Sequence, residues 1–386
     1  MLDLLVKNAL VDGDVVDIAV SNGVITNVNA NINDSAKQTI DSKRKVVIPG
    51  FVDCHMHLDK CLLNEKQVYV DGTGPEKGAL TYALKKDFTK DDIKARAKTM
   101  IEKAIIAGTL WLRTNVDVDV AVGLNGIKAL LELKEEYKEK INIQVVAFAQ
   151  EGVFTNDQNA ALLEQAIQLG ADLVGGHTIV NNEGERHIDF ILDLAKKYDI
   201  DADFHLDESG NRNHYLLPYL AKKMVENGLR KRVNGIHLCT LSSLTSDELK
   251  EALTDIRRSE LKVTVAPTAI STRNIAPVKA LLNAGVPVGL GSDNIRDFFN
   301  PLGNGDVKYV ALLLSYLQRF FKEEEINQVY EMITKKGAEV LSVKNYGIRV
   351  GNKADITILK AHSPKEVIAY QEKPEVIIRN GKLYID

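Results

Sequence analysis

The central part of the chain alternates between short apolar runs and longer amphipathic stretches, and this rhythm restricts the possible folds more than any other feature. Apolar runs of about six residues are typical of buried strands, whereas stretches of about 12 to 20 residues with helical periodicity are typical of helices that cover a sheet. The predicted strands are Val46–Phe51, Thr109–Asn115, Ile143–Ala149, Asp172–Gly176, Ala202–His205, Val233–His237, Lys262–Ala266 and Val286–Gly291. Helical patterns between them include Lys90–Ile106, Ala160–Leu169 and Ser246–Leu253.

Strands that alternate with helices in this way predict an α/β fold, a (β/α)8 TIM-like barrel. The alternative is an open doubly wound sheet, but no dinucleotide-binding glycine fingerprint follows Val46–Phe51. The glycine-rich segment Gly72–Gly78 has neither the spacing of a phosphate loop nor a clear strand before it. We interpret it as part of a mobile loop, Leu62 to Gly78, that follows the first barrel strand and covers the pocket.

Both ends of the chain differ from the middle, because they consist of short strands and turns. Strand patterns occur at Leu4–Val6, Val15–Val20, Ala354–Leu359, Val376–Arg379 and Lys382–Ile385, and Asn380-Gly381 is a hairpin-type turn. Neither end is long enough to bury a core alone. We therefore predict a small β-sandwich domain formed by residues 1–48 with 347–386, and a barrel domain over residues 49–346.

Charge and cysteine content restrict the partners and the compartment. The formal net charge of −4 over 386 residues gives the surface no preference for phosphate backbones, so nucleic acid is not expected as a partner. No apolar run approaches the about 18 residues that span a bilayer, and the N-terminal residues lack a signal-peptide pattern, so no membrane association is expected. Three scattered cysteines argue against a disulfide framework, and we expect a cytoplasmic protein.

Two histidines follow a Pro-Gly pair at the start of the barrel region. His55 and His57 belong to the segment Pro49–His57, and strand side chains alternate with a period of two, so both imidazoles face the same side. Packing gains nothing from two adjacent polar rings at the end of an apolar strand, whereas neutral imidazole is a good ligand for Zn(II) and Fe(II). The pair therefore indicates part of a metal site at the mouth of the barrel.

Polar side chains also follow other predicted strands. His205 ends the fifth strand and Glu208 follows it, His237 ends the sixth, and Asp293 follows the eighth. Barrel active sites are built at these strand ends. Each residue alone is more often a helix cap or a satisfied polar group, and Asp293 could cap a following helix. His177, after Gly175-Gly176, remains open between a pocket-lining and a loop position.

The pattern resembles the amidohydrolase superfamily, in its cytosine deaminase-like branch, which also contains the N-isopropylammelide hydrolases of triazine breakdown. The resemblance runs through nearly the whole chain. Its motifs here are Arg113–Val118, Gln144–Gly152, His205–Glu208, Ser292–Asp297 and Gly303–Asp306. The resemblance implies a (β/α)8 barrel with a β-sandwich built from both termini, in agreement with the strand pattern.

The resemblance also implies a site with one divalent metal ion, Zn or Fe, and a hydrolytic deamination. It implies that metal hydroxide attacks the carbon that bears the amino group of a small ring. The residues that it assigns are His55, His57, His205 and Asp293 as metal ligands, with Asp293 also holding the hydroxide proton, Glu208 as proton shuttle, His237 beside the attacking water, and Gln150 and Asn294 as substrate-binding residues. It further suggests a homo-oligomer.

Three departures from the cytosine deaminases leave the substrate open. Asp293-Asn294 stands where they carry two aspartates, Phe298-Phe299 stands where they carry a tryptophan, and Asn115 stands where they carry a histidine. Glu208 stands where the triazine hydrolases carry an aspartate. We expect a deaminase of a small aminated N-heterocycle, a cytosine-like pyrimidine or a related cyclic amidine. The alternative is a hydrolase that releases an alkylamine from an N-isopropylammelide-like triazine; a non-catalytic binding protein is a third hypothesis, which the intact ligand positions oppose.

Overall fold

The computed structural model describes residues 1–65, 71–179, 183–271 and 274–385. Its strands are β1 (Leu2–Val11), β2 (Asp14–Ser21), β3 (Val24–Asn29), β4 (Ala36–Asp41), β5 (Val47–Ile48), β6 (Phe51–Met56), β7 (Thr109–Asp117), β8 (Asn142–Ala149), β9 (Leu173–His177), β10 (Asp201–Leu206), β11 (Val233–His237), β12 (Lys262–Val265), β13 (Val288–Leu290), β14 (Ile356–Ile358), β15 (Val376–Arg379) and β16 (Lys382–Ile385). Its helices are α1 (Gly74–Lys85), α2 (Lys90–Ile106), α3 (Asn125–Glu136), α4 (Asn159–Gln168), α5 (Gly184–Lys197), α6 (Leu217–Glu226), α7 (Ser246–Ser259), α8 (Val278–Asn283), α9 (Val307–Leu317), α10 (Glu323–Met332), α11 (Lys335–Val340) and α12 (Pro364–Tyr370). None of the described helices is long and apolar enough to cross a bilayer.

Strands β6 to β13 form one eight-stranded parallel sheet in chain order, and each is followed by at least one helix. The two edge strands meet where Met56 bridges Asp293 and where the backbone N–H of Asp293 donates to the carbonyl of His55 over 2.9 Å. The predicted TIM-like α/β fold is therefore confirmed. Because parallel strands end at the same rim, this arrangement brings the strand-end residues together.

The prediction that the first barrel strand spans Val46–Phe51 was wrong. Phe51 opens β6, whereas Val47 and Ile48 form β5, which pairs with β14 in another sheet. The break falls at Gly50, whose φ is +124° and whose absent Cβ would lie 2.7 Å from the Leu110 side chain. An apolar run that crosses two sheets cannot be divided by periodicity alone. The other seven predicted strands overlap β7 to β13.

Closure of the barrel depends on two glycines, one within β13 and one just after it. A Cβ at Gly291 would lie 2.6 Å from Cβ of His55, and a Cβ at Gly289 would overlap the sulfur of Cys54. Glycine at both positions lets β13 approach β6 closely. Closure thereby sets the distance between His55 and the segment that carries Asp293.

The two ends of the chain form two four-stranded sheets, in the orders β3-β2-β1-β4 and β16-β15-β14-β5. Val6 and Ile18 of the first share a core with Ile356 and Ile378 of the second, as the prediction of a sandwich from both termini requires. The strand β4 runs parallel to β1, and the other pairs are antiparallel. Helix α12 packs against α9 and α10, so the domain limits 1–48 with 347–386 and 49–346 remain a proposal.

The segment predicted as a loop over Leu62 to Gly78 contains a helix instead. Residues 66–70 of that segment lie outside the described residues, and α1 begins at Gly74. The backbone N–H of Thr73 donates to Glu76 over 2.7 Å, which satisfies one of the N–H groups at the start of the helix. The buried positions of α1 are Lys77, Thr81 and Lys85, so the inward face of the helix is polar. The glycines that suggested a loop lie before and within the first turns.

Candidate active site

Three histidines lie together at the mouth of the barrel. His55 is on β6, His57 follows it, and His205 is on β10. Ring centroids are separated by 4.8 Å for His55 and His57, 4.9 Å for His55 and His205, and 5.4 Å for His57 and His205. All three side chains are buried. The alternation of β6 and the meeting of strand ends thus bring together the histidines that the sequence singled out.

Asp293 completes this group from the last barrel strand. Its Oδ1 lies 3.2 Å from Nε2 of His55 and 3.5 Å from Nε2 of His57. Two ligands bound tetrahedrally at about 2.1 Å from one ion lie about 3.4 Å apart. Ligand-type atoms of His55, His57 and His205 all lie within 4.8 Å of one another. The spacing of the group therefore fits a single ion.

Hydrogen bonds on the outer side of two rings fix their tautomers. Nδ1 of His205 lies 3.0 Å from Oε2 of Glu208, and Nδ1 of His55 lies 3.3 Å from Oδ1 of Asn115. Both oxygens are acceptors, so the ring protons are assigned to Nδ1 and the lone pairs to Nε2. Nε2 of His205 is buried and has no hydrogen-bond partner within the described residues.

The inner nitrogens consequently present lone pairs to one another and to a carboxylate. In this tautomer, Nε2 of His55 directs a lone pair towards Oδ1 of Asp293. A cation between such groups relieves the repulsion. A proton satisfies one pair of atoms, whereas a divalent ion satisfies the three imidazoles and the carboxylate together. The donor set fits a divalent metal.

The charge states of three of the four side chains agree with this assignment. Burial lowers the pKa of His205 to about 4 and holds the pKa of His57 well below its usual 6.5. Burial opposes the charged forms of His55 and Asp293, but a proton held between Nε2 of His55 and Oδ1 of Asp293 outweighs it, so the pKa of Asp293 is lowered and that of His55 is raised. A metal ion would replace that proton on His55. Neutral imidazoles and an ionised carboxylate are the forms that bind metal.

A buried polar network lies behind the histidines, and the sequence prediction did not include it. Asp203 accepts hydrogen bonds from Asn115 over 3.2 Å, from Arg113 over 2.7 Å and from Asn234 over 3.0 Å. Asp203 precedes His205 by two positions on β10, so the period of two places both on one face. That alternation was the signal that could have identified Asp203.

Glu208 is held between two histidines beside the ligand group. Its Oε2 lies 2.7 Å from Nε2 of His177 and 3.0 Å from Nδ1 of His205, while its Oε1 lies 3.9 Å from Nε2 of His237. The structure therefore places His177 in the site rather than in a remote loop. His237 is close to the ligands as well, since its ring centroid is 4.8 Å from that of His205.

The backbone turns sharply where three of the strands end. Asp207, His237 and Asp293 have positive φ angles of 52°, 77° and 59°. Residues other than glycine adopt this region at a cost, which is typical of positions that a surrounding structure holds for function. Asp207 is held by its carboxylate, which accepts from the backbone N–H groups of Leu216 and Leu217 over 2.7 and 3.2 Å.

The two predicted substrate-binding residues follow β8 and β13 at the same rim of the barrel. Gln150 immediately follows β8 and is half-buried. Asn294 adjoins Asp293 and donates from Nδ2 to Oδ2 of Asp297 over 2.5 Å. This bond leaves the amide oxygen of Asn294 as the group that can accept from a ligand.

Buried ion pairs attach α1 to the mouth of the barrel. Lys85 lies 2.6 Å from Asp117, 3.0 Å from Asp119 and 2.8 Å from Glu151, and Lys60 lies 2.6 Å from the second oxygen of Asp117. Burial disfavours the charge of Asp117, but the two lysines outweigh it and lower its pKa to about 2. These contacts fix α1 near the residues that follow β7 and β8.

Comparison with known proteins agrees with this architecture. Residues 95–384 match the amidohydrolase family. The chain is 36% identical to the N-isopropylammelide isopropyl amidohydrolase of Pseudomonas sp. strain ADP, over 99% of this chain and 97% of that protein. A 5-methylcytosine deaminase from Klebsiella pneumoniae liganded with 5-fluorocytosine superposes with a TM-score of 0.93 at 26% identity, covering 99% and 97% of the two chains. N-isopropylammelide isopropylaminohydrolase from Burkholderia multivorans gives 0.91 at 25% identity, covering 99% and 98%.

Proposed function

The chain belongs to the amidohydrolase family, and we propose that it is a metal-dependent hydrolase that removes the amino group of a small N-heterocycle as ammonia. The substrate class is a cytosine-like pyrimidine or a related cyclic amidine. One divalent ion, Zn or Fe, is held by His55, His57, His205 and Asp293. A homo-oligomeric assembly and a cytoplasmic location stay predictions.

The observation that carries the proposal is the position of Glu208 beside the ligand group. A carboxylate within hydrogen-bond reach of the reacting atoms can carry protons in both directions. Glu208 bonds to a ligand histidine over 3.0 Å and is only partly buried, with 13% of its side chain exposed. It can therefore contact both the ligand group and a ring that enters from the mouth of the barrel.

The chemistry needs a nucleophile and a proton carrier. A divalent ion held by these side chains would supply a water-derived nucleophile at neutral pH. Glu208 protonates the ring nitrogen, because an aromatic C=N group accepts attack poorly without that proton. His237 donates a hydrogen bond to the oxygen that develops negative charge. The two protons of the water end on the ring nitrogen and on the leaving amino group, and the C–N bond breaks.

A second candidate function is the release of an alkylamine from an N-alkylamino-triazine. The 36% identity to the N-isopropylammelide isopropyl amidohydrolase of Pseudomonas sp. strain ADP favours it. The bond changes are the same, but the leaving group is an amine that needs an apolar pocket. Glu208 supports the deaminase over this candidate, because the triazine hydrolases that the chain resembles carry an aspartate there.

A substrate panel tests both candidates with metal-loaded protein. Cytosine, 5-methylcytosine, isoguanine, creatinine, a pterin and N-isopropylammelide are each incubated, and ammonia and isopropylamine are quantified. Ammonia from one ring compound supports the deaminase, whereas isopropylamine without ammonia supports the second candidate. The Glu208→Gln variant is the control, since it keeps the metal ligands. Undiminished turnover by that variant would contradict the role of Glu208.

A further inference from the structure

The geometry points to His177 as a positioning residue that fixes which oxygen of Glu208 carries the proton. This inference rests on the proposed function, because the proton is the one that Glu208 delivers to the ring. His177 Nε2 lies 2.7 Å from Oε2 of Glu208, a shorter distance than the 3.0 Å from Nδ1 of His205 to the same oxygen. None of the motifs that indicated the metal site contains His177.

The two oxygens of Glu208 stand in different surroundings. Oε2 faces two imidazole nitrogens, and Oε1 is the oxygen on the side of His237, 3.9 Å from its Nε2. The proton on Nδ1 of His205 follows from the requirement that Nε2 face the ligand group. If Nε2 of His177 also carries a proton, Oε2 accepts from two N–H groups, those of His205 and His177. A proton on Oε2 itself would then point at two donors and find no acceptor. The transferable proton therefore belongs on Oε1.

Without His177, Oε2 of Glu208 would lose the shorter of its two imidazole contacts, and the carboxylate could rotate more freely about its terminal torsion. Terminal carboxylate torsions are broad, so each hydrogen bond to Oε2 narrows the range of that torsion. The second bond removes that freedom and presents Oε1 in one direction. Orientation of this kind acts on the rate of proton transfer more than on the affinity for substrate.

The fold explains why the histidine can reach the carboxylate. His177 ends β9 and is paired in register with His205 of the adjacent β10. Two residues earlier, a Cβ at Gly175 would overlap the carbonyl oxygen of Asp203 on β10. The glycine therefore lets the two strands lie close together. The side chain of His177 remains 13% exposed, equal to that of Glu208, so both lie at the edge of the open mouth.

Amide substitutions separate positioning from simple packing. In glutamine the amide nitrogen stands near the position of Nε2 in histidine, whereas in asparagine it stands near the position of Nδ1. His177→Gln should therefore preserve the donor to Oε2, while His177→Asn and His177→Leu should remove it. A group whose only role is to fill space would not discriminate between the two amides in this way.

The experiment measures kcat and KM for the wild type and the three variants on the substrate found by the panel, with metal content and melting temperature as controls. We expect His177→Leu and His177→Asn to lose about 100-fold in kcat with KM changed less than about threefold, and His177→Gln to stay within about fivefold of the wild type. Unchanged kcat in His177→Leu, or equal loss in the Gln and Leu variants, would overturn the inference.

Crystal structures of the metal-loaded Leu and Gln variants decide the question independently of turnover. We expect the Glu208 carboxylate to be rotated or disordered in His177→Leu and unchanged in His177→Gln. An unchanged carboxylate in both would overturn the positioning role. If the wild type hydrolyses no compound of the panel, the proposed function fails, and these structures still decide whether His177 orients Glu208.

Discussion

The amide oxygen of Asn115 lies 3.3 Å from Nδ1 of His55, and the amide nitrogen of the same side chain donates to Asp203 over 3.2 Å. The carboxylate of Asp203 accepts only from the nitrogen end, so the amide cannot flip without losing that bond. Asn115 therefore holds the proton of His55 on Nδ1 and leaves Nε2 for a metal. The chain has this asparagine where the cytosine deaminases that it resembles carry histidine.

We predict that Asn115→Leu weakens metal binding about 10- to 100-fold, because groups that orient ligand histidines typically contribute this much. The measurement is the metal dissociation constant by competition with a chelator at fixed pH. Asn234→Leu is the matched control, since Asn234 also donates to Asp203, over 3.0 Å, but contacts none of the proposed ligands. Equal effects of the two variants would show that Asn115 acts only through Asp203.

The ion pairs at the mouth of the barrel make Asp117 a strong determinant of stability. Asp117→Asn leaves Lys60 and Lys85 buried with fewer counter-charges, and breaking a buried pair in this way costs about 3 to 5 kcal/mol. Urea denaturation at pH 7 measures the change in the free energy of unfolding. The exposed pair of Lys336 and Glu339, 3.1 Å apart, is the control, and Glu339→Gln should cost less than about 1 kcal/mol.

The stability of Asp117→Asn should depend on pH differently from that of the wild type. The folded pKa of Asp117, about 2, lies below the ordinary value of 3.8, so its contribution to stability is present above pH 4. That contribution falls as the pH drops from about 4 to about 2, because the unfolded chain takes up the proton first. The stability difference between the wild type and Asp117→Asn should shrink over this range. A constant difference from pH 7 to pH 3 would contradict the assignment.

Asn294 forms a contact that an aspartate could not form without a proton. Its Nδ2 donates to Asp297, whose pKa burial raises to about 7. Asn294→Asp would place two carboxyl groups in contact, and their shared proton would bind more tightly in the folded state than in the unfolded one.

Because the pKa of this carboxyl pair is raised in the folded state, the stability of Asn294→Asp should fall as the pH rises. We expect Asn294→Asp to be close to the wild type in stability at pH 5.5 and about 1 to 3 kcal/mol less stable at pH 8, measured by urea denaturation. Asn294→Ala removes the donor without adding a charge. Because that donor favours the ionised Asp297, the loss in Asn294→Ala should grow with pH by less than the loss in Asn294→Asp. A pH-independent loss in Asn294→Asp would contradict this account of the pair.

Because β13 lies close to β6, adding a side chain at Gly291 should destabilise the protein. Gly291→Ala would bring a Cβ to 2.6 Å from Cβ of His55, and we expect a loss of about 1 to 3 kcal/mol together with weaker metal binding. Gly78→Ala is the control, because Gly78 lies within α1 and a Cβ there meets no atom within 4 Å. That variant should be neutral or more stable by up to about 1 kcal/mol. Similar behaviour of both variants would contradict the importance of the close approach.

Much of the fold could be predicted from the sequence because it follows from periodicity, whereas the full ligand group was implied by the resemblance to the amidohydrolase superfamily. Apolar runs that alternate with helices specify a parallel barrel, and a barrel places strand-end residues such as His55, His205 and Asp293 at one rim. The sequence left open whether His177 lines the pocket, because a histidine that follows two glycines is equally consistent with a loop position.

The errors have local physical causes. The first barrel strand was placed too early because Val47 and Ile48 are apolar on account of another sheet, and a glycine kink separates them from Phe51. Helix α1 was missed because its buried face carries Lys77, Thr81 and Lys85 and so gives no apolar periodicity. Lys85 pairs there with carboxylates at the ends of other strands. Asn115 gave no pattern of its own, since it contacts His55 on the adjacent strand β6 and Asp203 on the more distant strand β10.

The central claim is that a divalent metal held by His55, His57, His205 and Asp293 drives hydrolysis of an exocyclic carbon–nitrogen bond. The most direct measurement is product release by one preparation of wild-type protein, before metal removal with a chelator, after removal, and after addition of Zn(II) or Fe(II). The account predicts ammonia or amine release that disappears on removal, returns on addition, and stays absent in His205→Ala under the same addition. Product release that persists in the metal-free protein would contradict it.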